Sequence, residues 1–279
     1  MKTLYMTDLD GTLLRSDKTV SPRTIDILNR LAASGCLFSV CTARGLHGLD
    51  LLPLGEVNFT APMVLMNGVL LYDPQKRRLI DRLTMPPCVV ARVLAACHRQ
   101  GKDPFIYRPM GERLLTEYSR VNTAGEQAFL DLRLNRFPDE FRRVDFLDPA
   151  KEAVYFTMQD THERLSAIRQ ELQDTLPEVS SALYKDNYLE NNWFLEIFDH
   201  RAGKDNGVKR VQTLTGAERL VVFGDNNNDL PMLRVADLAC VVDNGVDAVK
   251  EAADVLIGGN DEDGVALFME DEWKKGEGR

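Results

Sequence analysis

The chain has 279 residues, 44% hydrophobic and 28% charged, with 34 Lys and Arg against 43 Asp and Glu, a net charge of −9. That length calls for two domains or one large α/β domain, and the composition excludes a disordered, fibrous or collagen-like chain. The negative balance leaves no global positive field for nucleic acid or an anionic membrane, so anions have to be handled locally, by a metal or a few placed cations.

The N-terminus carries only Lys2 before a short apolar stretch that runs into Asp8, unlike a signal peptide, and no apolar run of about 18 residues follows. Cys36, Cys41, Cys88, Cys97 and Cys240 form an odd set without a C-x-x-C pair, which suits reduced thiols better than a disulfide framework or structural zinc. A soluble, cytoplasmic protein is expected.

Leu4-Tyr5-Met6-Thr7 reads as a buried strand ending at Asp8. Ser21-Pro22 starts a helix whose apolar stripe is Ile25, Leu28 and Leu31 with Ala32, and Gly35 stands where a C-cap is wanted. Leu37–Cys41 and Met63–Met66 read as further strands, ending at Thr42 and at Asn67-Gly68. From about Thr84 to Glu190 the pattern changes, with a helix from Pro87 to His98, a strand at Ala153–Thr157, a helix from His162 to Leu172, and Arg108, Arg113 and Arg120 read as surface charges. Strands resume at Leu220–Phe223, Leu238–Val242 and Val255–Ile257, short apolar runs typical of a parallel sheet covered on both faces. The acidic tail after Asp261 reads as a solvated end. The expectation is an α/β protein: a three-layer, Rossmann-like parallel-sheet core from residues 1–83 and 191–279, with an inserted α+β domain over 84–190.

Three polar clusters follow strands directly: Asp8-Leu9-Asp10-Gly11-Thr12, Thr42-Ala43-Arg44, and Gly224-Asp225-Asn226-Asn227-Asn228-Asp229. Carboxyl ends of neighbouring parallel strands converge on one crevice, so distant clusters can share a site. Asp8, Asp10 and Asp225 then offer hard oxygen ligands suited to Mg2+, which takes a few carboxylates together with waters and a substrate phosphate. Singly, each cluster has a blander reading. Asp8–Thr12 could be a turn or the metal pair of a glycosyltransferase, Thr42–Arg44 a helix cap, and Gly224–Asp229 an Asn-rich turn. His47, His98, His162 and His200 share no metal-ligand spacing.

Together, Asp8 to Leu14, Thr42 to Arg44, Asn67-Gly68, Gly224 to Asp229 and the ending Asn260–Ala266 resemble the haloacid dehalogenase (HAD) superfamily of phosphohydrolases, in its Cof-like branch with a type IIB cap. The resemblance implies that Asp8 attacks phosphorus to give an aspartyl-phosphate, and that Asp10 protonates the departing alcohol and then deprotonates water. Thr42 and the main chain around Leu9 would hold phosphoryl oxygens, and Arg44, Asn67 and Gly68 would contact substrate. Asp8, Asp10, through its backbone carbonyl, and Asp225 would hold Mg2+, with Asn228 and Asp229 acting behind them. Lys204 fits the family's basic residue, with Lys209 as fallback; Asp205 follows it where the family usually has Gly. Asp243-Asn244-Gly245 stands where the branch usually has Gly-Asn-Ala, and Asn244 is kept as a structural neighbour of the site. The implied activity is Mg2+-dependent hydrolysis of a small phosphorylated metabolite, with no nucleic-acid or membrane partner and the oligomeric state open. A sugar phosphomutase and a non-catalytic phosphometabolite binder are the rivals.

Overall fold

The computed structural model describes residues 1–50, 52–186 and 189–277. The chain forms two compact units, Met1–Asp81 with Gly203–Arg279, and Arg82–Ala202. The first unit begins with β1 (Thr3–Thr7), α1 (Pro22–Ala33), β2 (Leu37–Val40), α2 (Leu46–Leu49), β3 (Met63–Leu65), β4 (Leu70–Asp73) and β5 (Arg78–Arg82). The second unit holds α3 (Pro87–Arg99), β6 (Phe105–Met110), β7 (Arg113–Tyr118), α4 (Ala124–Leu134), β8 (Phe141–Arg143), β9 (Tyr155–Asp160), α5 (His162–Thr175), β10 (Val179–Lys185) and β11 (Trp193–Asp199). The chain returns to the first unit with α6 (Lys204–Thr215), β12 (Arg219–Gly224), α7 (Leu230–Arg234), β13 (Leu238–Val242), α8 (Asp247–Lys250), β14 (Val255–Ile257) and α9 (Gly264–Glu277).

The core sheet of the first unit runs β14-β13-β12-β1-β2 with every pair parallel. Leu4 and Met6 of β1 face one way, into a cluster with Val208 and Val211 of α6, Met232 and Leu233 of α7 and Val249 of α8. The other face carries Phe223, whose ring meets Phe268 of α9, and α9 packs on α1. Helices on both sides of an apolar parallel sheet make the three layers. The Ser21 hydroxyl caps α1 by accepting the Thr24 N–H, and the buried stripe is Thr24, Ile27, Leu28 and Leu31; Ile25 and Ala32 are only half-buried. Acidic though it is, the C-terminal segment is a docked helix with Val265, Ala266 and Met269 buried, not a solvated tail.

The second unit is built on a sheet of order β10-β11-β9-β6-β7-β8, antiparallel except for β7 with β8. Its α3 and α5 cover one face through Val89, Val93, Cys97, Leu165, Ile168 and Leu172, packed on Ile106, Phe156, Met158, Leu195 and Ile197. The second border between units falls at 202/203 rather than 190/191, because β11 pairs along its length with β9 and β10. Arg108 is a correction of a different kind. It is buried, and its guanidinium bonds Glu117 and donates to the carbonyls of Asp148, Lys151 and Glu152, so it pins a loop rather than meeting solvent.

Candidate active site

The chemistry-bearing residues of the first unit lie at the carboxyl ends of β1, β2 and β12. Register sets this up: Thr7 is opposite both Val40 and Phe223, so the chain leaves all three strands at one level. The Asp8 N–H donates to the Phe223 carbonyl at 2.9 Å and the Cys41 N–H to the Thr7 carbonyl at 2.8 Å, extending the ladder by one step.

Lys204, the first residue of α6, is the hub. Its Nζ donates to Asp8 Oδ1 and to Asp229 Oδ1, both at 2.6 Å, and all three side chains are nearly sealed from water. Asp229 ends a short 3-10 turn (Asn227–Asp229) that Asn226 caps, and its Oδ2 accepts the N–H groups of Asp225 and Asn226 at 3.0 Å each. Asp225 Oδ1 accepts the Thr12 hydroxyl at 2.7 Å. Gly11, at φ +85°, passes directly beneath: a Cβ there would lie 2.6 Å from Asp225 Oδ2, so only glycine admits this approach.

Three carboxylates around one ammonium leave a formal local charge of −2. Burial pushes the Asp8 carboxyl up to about 7; Lys204 pulls against this, and Asp229 and Asp225 add to it. Burial also raises Asp225, with Thr12 opposing. Burial disfavours the charge on Lys204, but Asp8 and Asp229 outweigh it, so its pKa is raised and the ammonium stays charged. Asp8, Asp225 and Asp229 each have a carboxylate oxygen within 4.8 Å of the others. Both Asp229 oxygens already accept hydrogen bonds, so the oxygens left for a cation are Asp8 Oδ2 and Asp225 Oδ2, with Asp229 behind them. Hard oxygen donors and an excess of two negative charges fit Mg2+.

Asp10 faces another environment. Arg44 grips it with both ends of its fork, Nε to Oδ2 at 2.6 Å and Nη2 to Oδ1 at 2.7 Å, and Lys18 adds a bond of 2.9 Å to Oδ1. Burial opposes ionisation, yet Arg44 and Lys18 prevail and hold the Asp10 carboxyl below the usual range. Thr42 is buried and its hydroxyl accepts the Arg44 N–H at 3.1 Å. Beyond β3, Met66, Asn67 and Gly68 all have positive φ, with the Met66 N–H on the Arg44 carbonyl and the Asn67 N–H on the Thr42 carbonyl. Gly68 packs on the start of α6, since a Cβ there would lie 2.2 Å from the Gly203 carbonyl oxygen.

The structure thus joins Asp8, Lys204, Asp225 and Asp229 in one cluster and ties Asp10 to Arg44. The Leu9 side chain is core, leaving its main chain for any ligand contact, and Asn228 is exposed on the turn. Lys209 bonds Gln212 on the exposed side of α6, away from the cluster. Sequence reasoning gave no role to Thr12 or Lys18. Thr12 was readable in principle, as a hydroxyl within the first polar cluster; Lys18 was not, because the turn that returns it to Asp10 depends on positive φ at Lys18 itself.

A parallel sheet whose strand ends gather paired aspartates, a buried lysine and a threonine defines a hydrolase of phosphoryl-transfer type. The chain matches the haloacid dehalogenase-like hydrolase family over residues 5–269. It is 29% identical to the 5-amino-6-(5-phospho-D-ribitylamino)uracil phosphatase YitU of Bacillus subtilis, with 96% of each chain covered. It is 27% identical to the pyridoxal phosphate phosphatase YbhA of Escherichia coli, covering 94% of this chain and 95% of that one. The HAD subclass IIB sugar phosphatase BT4131 shares the fold at a TM-score of 0.70 and 22% identity, over 96% of this chain and 98% of that one. The chain belongs to the haloacid dehalogenase-like hydrolase family, in its Cof-like branch, and its class of activity is that of a phosphatase. No helix among the described residues is long and apolar enough to cross a membrane.

Proposed function

We propose that this protein is a Mg2+-dependent phosphomonoesterase that hydrolyses a small phosphorylated metabolite through an aspartyl-phosphate on Asp8, with the second unit, residues 82–202, as its cap. The observation that carries the reading is the buried Lys204 bridging Asp8 and Asp229 beside Asp225. An Asp8 carboxylate oxygen forms a bond to phosphorus as the bond to the alcohol oxygen breaks, and Asp10 delivers the proton that oxygen takes. Water then attacks the aspartyl-phosphate, giving its proton to Asp10 and releasing inorganic phosphate and the Asp8 carboxylate. Thr42 and the main chain of the Asp8 loop hold phosphoryl oxygens, Lys204 fixes the Asp8 rotamer, and Arg44 governs where Asp10 points. Mg2+, held by Asp8, Asp225 and the Asp10 carbonyl, would supply positive charge against the carboxylate and the anionic ester.

The names of the two curated relatives, phosphatases of a ribitylaminouracil phosphate and of pyridoxal phosphate, support a small phosphorylated metabolite as the substrate class. Free, buried Cys36, Cys41, Cys97 and Cys240 suit a reducing cytoplasm. Phosphate release from a panel of sugar, nucleotide and cofactor phosphates with Mg2+ tests the reading. Asp8→Asn is expected to abolish release with folding intact. An isomerised phosphosugar without net phosphate would make the protein a mutase, and ligand-dependent melting shifts with no turnover would make it a binder.

A further inference from the structure

We propose that Asn244 is a positioning residue that sets the spacing of the two cation-holding aspartates, Asp8 and Asp225; the inference rests on the metal site of the proposed function. Asn244 lies in the turn after β13 and is exposed, where an asparagine is ordinarily solvated. Here both ends of its amide are committed to backbone. Nδ2 donates to the Gly11 carbonyl at 2.7 Å, and Oδ1 accepts the Asn260 N–H at 2.9 Å. A carbonyl on one side and an N–H on the other fix which way the amide faces. Asn260, buried, continues the brace by donating its Nδ2 to the Leu14 carbonyl at 2.9 Å.

The same turn reaches the other aspartate loop, where the Val246 N–H donates to the Asp225 carbonyl at 2.9 Å. A turn of three residues therefore holds Gly11 through a side chain and Asp225 through main chain. The Gly11 backbone meets the Asp225 carboxylate at the close contact beneath Oδ2, and Thr12 next to Gly11 bonds Asp225 Oδ1. Removing the Asn244 amide frees the Gly11 carbonyl and lets the loop after Asp8 and Asp10 drift from Asp225. The cation site then loses its preset geometry while the fold keeps its core.

Partners that orient metal ligands are worth roughly 10–100-fold in metal affinity, and Asn244 acts through backbone, so about tenfold is expected. The test is calorimetric titration of Mg2+ into the full-length wild type, Asn244→Ala and Asp243→Ala. Asp243 is the exposed neighbour whose only ion pair, among the described residues, is with Lys250 at 3.9 Å. Asn244→Ala should weaken Mg2+ binding about tenfold, Asp243→Ala should bind like wild type, and both should melt within about 3 °C of wild type without Mg2+. Affinity within twofold of wild type in Asn244→Ala, an equal loss in Asp243→Ala, or a larger melting drop in Asn244→Ala overturns the proposal. A wild type that binds no Mg2+ overturns the metal site itself, an outcome told apart by the first titration.

Discussion

Lys204→Met is the most demanding test of the cluster's electrostatics, because methionine nearly preserves length and volume while deleting the charge. The lysine side chain is 2% exposed, Asp8 8% and Asp229 0%, so no water replaces the two lost bonds of 2.6 Å. Breaking a buried ion pair by removing one partner costs about 3–5 kcal/mol, since the remaining charge is stranded. One release exists. Asp8 already sits at about 7, so without the lysine it takes up a proton near neutral pH, which keeps the loss toward the lower figure. At roughly 2–4 °C per kcal/mol, a loss of about 3 kcal/mol lowers the melting temperature by about 6–12 °C. The sign with pH follows from linkage: a carboxyl whose folded pKa lies above its unfolded value contributes fully below the unfolded value and loses that contribution as pH rises through the folded one. The deficit of Lys204→Met should therefore grow between pH 7 and 9. Scanning calorimetry at several pH values reads it, following the transition of the unit that contains residues 1–81 and 203–279. A loss under about 1 kcal/mol at pH 7.5, or a deficit that shrinks as pH rises, would refute the reasoning.

Gly68→Ala puts a methyl 2.2 Å from the Gly203 carbonyl oxygen, a backbone atom that cannot swing aside, so the start of α6 and Lys204 with it must shift. A displacement near 1 Å at a catalytic group costs about 100-fold in kcat/KM, and phosphatase kinetics with wild-type activity in the variant would dismiss that coupling. In the second unit, burial opposes ionisation of Asp103, but Arg120 and Ser119, each at 2.7 Å, hold its carboxyl below the usual range, with His98 at 3.1 Å. A depressed folded pKa contributes stability above the unfolded value of about 3.9 and loses it as pH falls through the folded one. Asp103→Asn should accordingly flatten the acid limb of urea-unfolding stability below about pH 4, and matching slopes in both proteins would count against it.

What could be read in the sequence depended on whether a signal was local. Asp8, Thr42 and Asp225 were placed because each follows an apolar run too short for anything but a buried strand, and parallel strand ends converge. The strand Trp193–Asp199 pairs through Leu195, Glu196 and Ile197 with Met158, Thr157 and Phe156, a partnership that no local pattern announces, and this carries the second unit past residue 190. Arg108 resisted for the same reason. Whether an arginine is solvated or bonds three carbonyls depends on a loop forty residues later returning to it. The helix at Gly264–Glu277 is legible in its apolar residues, since Val265, Ala266 and Met269 recur on one helical face, but acidic residues on either side, Asp261 to Asp263 and Glu270 to Glu272, give the segment the look of a solvated end.

Asp8 and Asp10 are two residues apart and chemically alike, yet the fold drives them in opposite directions. Asp8 points into the layer between sheet and α6, where burial raises its pKa and a single ammonium is shared with a second carboxylate. Asp10 meets Arg44 and Lys18, and both of its oxygens are engaged by cations. Under the proposed chemistry the first must be ionised to attack and the second must carry a proton to the departing alcohol. Neither role follows from the pairings of the protein alone. Positive charge beside Asp8 and Asp225 satisfies the first requirement, and the cluster's own excess of two negative charges is what makes divalent charge fit there. For the second, Arg44 and Lys18 hold the Asp10 carboxyl ionised, so a loosened Arg44 fork would favour the proton that the departing alcohol needs. Arg44 is the group placed to permit this, because its N–H rests on the hydroxyl of Thr42, the same hydroxyl assigned to the phosphoryl group. The Thr42 hydroxyl can accept the Arg44 N–H and donate its own proton to a phosphoryl oxygen at once, so a single residue links the proposed phosphate site to the arginine whose fork holds Asp10.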